Sequence, residues 1–207
     1  MKKFAIALLC TLPCATFAAD WTPVFKPWEQ CKSSSIVTKI DKAVIGTRAD
    51  YQKYTDAYEL ASQNWHGDYD DPRYNDHLAS YGVDDNLLVS KNALQGKFPT
   101  IPTQYRKDMG KAYITDGSHS SSIYIHVPLN NARLYGIPIK EYVAGFGLET
   151  ESPRSYVNFG NISDAQLAKL KKIKLKSIYE EAFDVNISAS FNRNEETGEV
   201  WFYDCTY

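Results

Sequence analysis

The chain has 207 residues, with 23 Lys and Arg against 25 Asp and Glu, 15 tyrosines and 4 cysteines. That length fits one domain with a sizeable core, and a net charge of −2 argues against nonspecific DNA binding as the main task. No stretch approaches the ~20 apolar residues of a membrane-spanning helix.

The first segment, MKKFAIALLCTLPCATFA, places Lys2 and Lys3 before an apolar run and ends on small residues. This is the three-part pattern of a secretory signal peptide, so residues 1–19 are read as a leader and 20–207 as a single globular domain. The short two-lysine start is of a bacterial kind and points to the periplasm or the exterior. Loss of the leader removes Cys10 and Cys14 and takes the net charge to about −4. Cys31 and Cys205 remain, one near each end. In an oxidising compartment such a pair predicts one disulfide.

Past Cys31, Ser35 is placed to cap a helix carrying Ile36, Val37, Ile40 and Val44 inward and stopping at Gly46. Thr47 opens a second helix in which Tyr51, Tyr54, Tyr58, Ala61 and Trp65 recur every three or four residues, the spacing of one helical face. Asp50 suits the positive end of that helix.

Next comes HGDYDDPRYNDH, His66 to His77, the densest cluster of ligand-type side chains. Calcium loops need fixed oxygen positions, with Gly sixth and Glu twelfth; counted from Asp68 these are Arg73 and Ala79. Zinc on a helix favours histidines four apart, and these are eleven apart. No metal is therefore expected. Trp65, Tyr69 and Tyr74, interleaved with Asp70 and Asp71, instead form a candidate recognition loop, because aromatic anchors with charged surroundings build protein interfaces.

Residues 66–121 are the least periodic, with a helix or turn predicted around Asn75 to Tyr81 and an extended run through Phe98 to Pro102. From Ser121 the period becomes two: Ile123, Ile125 and Val127 alternate with Tyr124 and His126, the pattern of a half-buried strand. Residues 133–149 read as strands interrupted by a bulge or bend at Gly136 and Pro138, and Ser155 to Phe159 as another strand. Ser163 with Gln166 forms a capping box, and Ile162 can staple onto Leu167, so a helix begins there with Leu167, Leu170 and Ile173 inward. A C-terminal hairpin follows, Val185 to Ala189 turning at 194–198 and returning through Val200 to Cys205. The expected fold is α+β: N-terminal helices packed on a mostly antiparallel sheet, then a C-terminal helix and hairpin, with one disulfide joining the chain ends.

Catalytic patterns are sparse. Ser118, His119 and Ser120 lack the G-x-S-x-G frame of a serine hydrolase and read as a turn entering a strand. Glu149, Glu151, Glu180 and Glu181 offer carboxylates without a spacing that pairs them. No cofactor motif is present, and no cofactor is expected. Lys169, Lys171, Lys172, Lys174 and Lys176 make the one basic patch, a possible contact for an anionic surface or acidic partner. Export, modest size, abundant tyrosine and missing catalytic motifs predict a non-enzymatic protein that binds another protein, such as a periplasmic inhibitor or immunity-type factor. Tyr124 and His126 join the loop residues as candidate contacts. The alternative is a secreted hydrolase using His126 or His119 with nearby carboxylates.

Overall fold

A computed structural model describes residues 18–115, 122–147, 154–181 and 184–205. The expected leader at 1–19 therefore lies almost wholly outside the described residues, as do His119, Glu149 and Glu151. The first described strand, β1 (Ala19–Asp20), lies at the expected leader boundary.

The N-terminal segment is interior rather than peripheral. Helix α1 (Thr22–Phe25) and the 3₁₀ turn Lys26–Gln30 bury Trp21, Phe25 and Trp28, and the Trp21 indole donates to the buried Asp108 carboxylate at 3.0 Å. Helix α2 (Ser35–Val44) starts one residue earlier than the sequence expectation, because Ser34 accepts from the Val37 amide. Its inward face is Val37, Ile40 and Val44. Gly46 follows where the chain passes against Leu87, and a Cβ there would lie 2.2 Å from the Leu87 carbonyl oxygen, so a larger residue would push the two segments apart.

Helix α3 (Arg48–Gln63) begins with a complete capping box between Thr47 and Asp50. Only part of its aromatic stripe is core: Tyr54 and Ala61 are buried, whereas Tyr51 is exposed. Helix α4 (Arg73–Ser80) returns beside it. Short helices α5 (Lys91–Leu94) and α6 (Thr103–Arg106) complete this half. The run expected to be extended at Phe98 to Pro102 is a turn closed by Ile101 N–H to the Phe98 carbonyl, 3.1 Å. Pro99 presets the bend, and Phe98 and Ile101 still bury their side chains.

The second half is mostly antiparallel sheet: β2 (Tyr113–Thr115), β3 (Ser122–Pro128), β4 (Ala132–Leu134), β5 (Ile137–Pro138), β6 (Glu141–Gly147) and β7 (Tyr156–Asn158). After helix α7 (Asp164–Leu170) come β8 (Ser177–Glu180), β9 (Val185–Ser188), β10 (Ser190–Arg193) and β11 (Val200–Tyr203). The main sheet has the order β10-β11-β7-β6-β3-β2. The interruption at Gly136 is a tight hairpin between β4 and β5, with positive φ at both Tyr135 and Gly136, as a two-residue turn between twisted strands requires. In the C-terminal hairpin the partner of β11 is β10, while β9 pairs with β8 in a separate two-stranded sheet. Helix α7 has the expected capping box.

Inside the main sheet, Ile123, Ile125, Val127, Tyr142, Val157 and Phe202 are buried against the N-terminal aromatics. Phe25 lies 5.6 Å from Tyr142, and Trp28 lies 5.4 Å from Phe202, between ring centroids. The architecture is α+β. Cys31 and Cys205 are joined, closing 174 residues of chain. In the chain-entropy account, closing a loop of that size stabilises the fold by about 5 kcal/mol.

Candidate functional site

The His66 to His77 segment does not present one surface. Tyr74 is buried with Ala61 and Leu78 in a small cluster between α3 and α4, and Trp65 and Tyr81 pack against it. The Tyr74 hydroxyl pairs with Ser62 at 2.9 Å, and His77 Nε2 meets the Ala61 carbonyl at 2.9 Å. Trp65 donates to the Asp68 carbonyl, 3.1 Å. These contacts fasten α4 to α3. Tyr74 therefore cannot offer its ring to a partner, whereas Tyr69 and Asp70 are exposed. Asp71 is held by Arg73, whose hydrogen bonds pull its carboxyl down to about 2. Among the described residues, no group of three His, Cys, Asp or Glu side chains is placed to hold a metal ion.

The richer constellation is on the outer face of the main sheet. Strand alternation that sends Ile123 and Ile125 inward must send Tyr124 and His126 outward. The pairing then sets beside them, strand by strand, Tyr113 and Thr115 on β2, Glu141 and Val143 on β6, Tyr156 and Asn158 on β7, and Trp201 and Tyr203 on β11. Tyr113 stacks on His126, with centroids 4.8 Å apart and planes 12° apart. His126 uses both ring nitrogens: Nε2 to Thr115 Oγ1 at 2.8 Å and Nδ1 to Glu141 Oε2 at 3.2 Å.

Glu141 is only 4% exposed. It also accepts from the Tyr113 hydroxyl at 2.9 Å and from Asn158 Nδ2 at 3.0 Å. Burial pushes its carboxyl up, but the hydrogen bonds from His126, Asn158 and Tyr113, with the His126 charge, outweigh burial and hold it at about 2. Asn158 extends the row by donating to Glu199 at 2.9 Å, and Lys140 pairs with Glu199 at 2.9 Å. One hydrogen-bonded line thus crosses the sheet from Lys140 to Thr115. It fixes the rotamers of the polar side chains on that face.

Beside this row lies an open groove of about 530 Å³, lined by Thr115, Tyr124, His126, Arg154, Tyr156, Trp201 and Tyr203. Tyr156 stacks on Trp201 at 4.8 Å and packs against Tyr203 at 5.4 Å. The Arg154 guanidinium sits over the Tyr203 ring at 5.1 Å and donates to the carbonyls of Asp204 and Ser188, the latter at 3.0 Å. Burial pushes the Tyr203 phenol up to about 12, so it stays a protonated hydroxyl at neutral pH.

Of the candidate residues, the structure brings Tyr124 and His126 into this groove. Trp65, Tyr69, Asp70, Asp71 and Tyr74 belong to the α3–α4 region instead. Sequence reasoning missed Tyr113, Thr115, Glu141, Arg154, Tyr156, Trp201 and Tyr203. The alternation of Val200-Trp201-Phe202-Tyr203 carried a usable signal, since two large aromatics had to share one face of that strand.

A second cavity, about 340 Å³, lies under the sheet beside the disulfide and is lined by Trp28, Asp41, Tyr142, Ser155 and Asp204 among others. Tyr142 donates to Asp41 at 2.5 Å. Burial raises the Asp41 carboxyl to about 6, against the Tyr142 hydrogen bond and with help from the Asp204 charge. The five lysines between 169 and 176 are all exposed.

No protein family, curated protein or solved structure matches this chain. Among the described residues, no helix is long and apolar enough to cross a membrane.

Proposed function

We propose that this is an exported protein that binds another protein, of the inhibitor or immunity type, and that its contact surface is the outer face of the main sheet. The observation that carries this reading is the groove lined by Tyr124, Tyr156, Trp201, Tyr203 and Arg154. Trp, Tyr and Arg are the residues that dominate binding energy at interfaces, and stacked rings over a hydrogen-bonded row lose little freedom on binding. The leader-like pattern of residues 1–19 and the end-to-end disulfide support an oxidising destination, the periplasm or the exterior. Tyr69 and Asp70, exposed on the α3–α4 side, are a second and smaller contact. The exposed lysines from 169 to 176 add a salt-sensitive attraction to an anionic surface or acidic partner.

Capture of partners from periplasmic extract by the mature protein tests this reading. Trp201→Ala and Tyr203→Ala should each weaken retention of the same protein by at least tenfold. Retention unchanged by both substitutions would overturn it.

A further inference from the structure

The row that crosses the outer sheet face ends in an order of groups with a chemical meaning. A hydroxyl, Thr115 Oγ1, meets His126 Nε2 at 2.8 Å, and the opposite ring nitrogen, Nδ1, meets the Glu141 carboxylate at 3.2 Å. This is the geometry of an activated nucleophile: base within hydrogen-bond reach of the hydroxyl, and the base oriented by a third group. From this arrangement we infer that Thr115, His126 and Glu141 form an acyl-transfer centre at the edge of the aromatic groove, one that hydrolyses carboxylic esters through an acyl-Thr115 intermediate.

Three features separate this from a row that merely tidies a sheet surface. Glu141 is fixed by Tyr113 and Asn158 as well as by His126, so its carboxylate can only accept from Nδ1–H. That selects the tautomer whose Nε2 is an acceptor for the Thr115 hydroxyl. Thr115 is exposed on the edge strand and needs no internal partner to be hydrated, yet its hydroxyl points at the histidine. Both Thr115 and His126 line the groove, together with Arg154.

The chemistry balances within these groups and water. Thr115 Oγ attacks the ester carbonyl carbon while its proton passes to His126 Nε2. The tetrahedral adduct collapses, the carbon–oxygen bond to the alcohol breaks, and the imidazolium returns the proton to the departing oxygen. A water, deprotonated by the same Nε2, then attacks acyl-Thr115 and releases the carboxylic acid with Thr115 restored. Glu141 stays ionised throughout and acts as a positioning residue. Tyr124, Tyr156 and Trp201 favour esters with a flat or apolar acyl group.

The test uses the isolated mature protein and a fluorophosphonate probe, with p-nitrophenyl acetate as the turnover substrate. The expected result is a single covalent adduct mapped by peptide mass spectrometry to Thr115. It should be lost in Thr115→Val and His126→Ala, kept in Thr115→Ser, and formed at least ~100-fold more slowly in Glu141→Gln. Circular dichroism and a thermal melt confirm that each variant is folded; Thr115→Val, on an exposed edge, is the variant on which the result turns. No adduct on folded wild-type protein, or equal labelling of Thr115→Val, would overturn the inference. No partner protein is in the assay, so its failure is separate from a failure of partner recognition.

Discussion

Replacing Asp41 with asparagine should stabilise the protein at neutral and alkaline pH and do almost nothing in acid. The Asp41 carboxyl is half-buried under the sheet next to Tyr142 and Asp204, and its partial burial raises it from 3.8 to about 6. A carboxyl raised on folding favours the folded state only while it is protonated. Its contribution is fully present below 3.8 and is lost as the pH rises through about 6. At ~1.36 kcal/mol per pH unit, that displacement amounts to about 3 kcal/mol. Asparagine keeps an oxygen to accept from the Tyr142 hydroxyl but carries no charge to desolvate. Urea unfolding followed by tryptophan fluorescence at pH 4, 6 and 8 measures the difference. The variant should match wild type at pH 4 and exceed it by about 2–3 kcal/mol at pH 8. A difference that is flat with pH, or a variant weaker than wild type at pH 8, would refute the reasoning.

Reduction, or Cys31→Ser, should lower the melting temperature by roughly 10–20 °C, following from about 5 kcal/mol of loop closure at this chain length; differential scanning calorimetry with and without reductant reads it directly. Tyr74→Ala should cost about 3 kcal/mol in urea unfolding, because it empties the centre of the α3–α4 cluster rather than trimming a surface loop. For Glu141 the sign is opposite to that of Asp41: its carboxyl is lowered from 4.5 to about 2, so its stabilisation is present above 4.5 and disappears as the pH falls through about 2. The stability gap between wild type and Glu141→Gln should therefore be about 3 kcal/mol at pH 6 and should vanish near pH 2, as measured by acid titration of the unfolding free energy.

Local signals in the sequence were read well because their causes are local. The capping box at Ser163, the helix start at Thr47, the amphipathic face of α2 and the alternation of β3 each depend on neighbours within four residues. The disulfide was legible for a different reason, since reading residues 1–19 as a leader leaves only Cys31 and Cys205 to pair. The candidate site was far less legible. Thr115, His126 and Glu141 come from three strands, and Trp201 and Tyr203 arrive about 45 residues beyond Tyr156. What unites them is sheet order and register, which no single segment encodes. The Asp-rich segment misled in the opposite direction: density of polar atoms drew attention to it, while Tyr74 and His77 were turned inward by the helix that starts at Arg73.

The central claim is that the aromatic outer face of the sheet contacts another protein. Placing the photo-crosslinking residue p-benzoylphenylalanine at position 203 in the groove, and separately at the exposed helical position 51, tests it in intact cells that produce the protein. The account predicts one discrete crosslinked species from position 203 that is absent from position 51. Crosslinking confined to position 51, or no crosslinked protein from the groove, would contradict it.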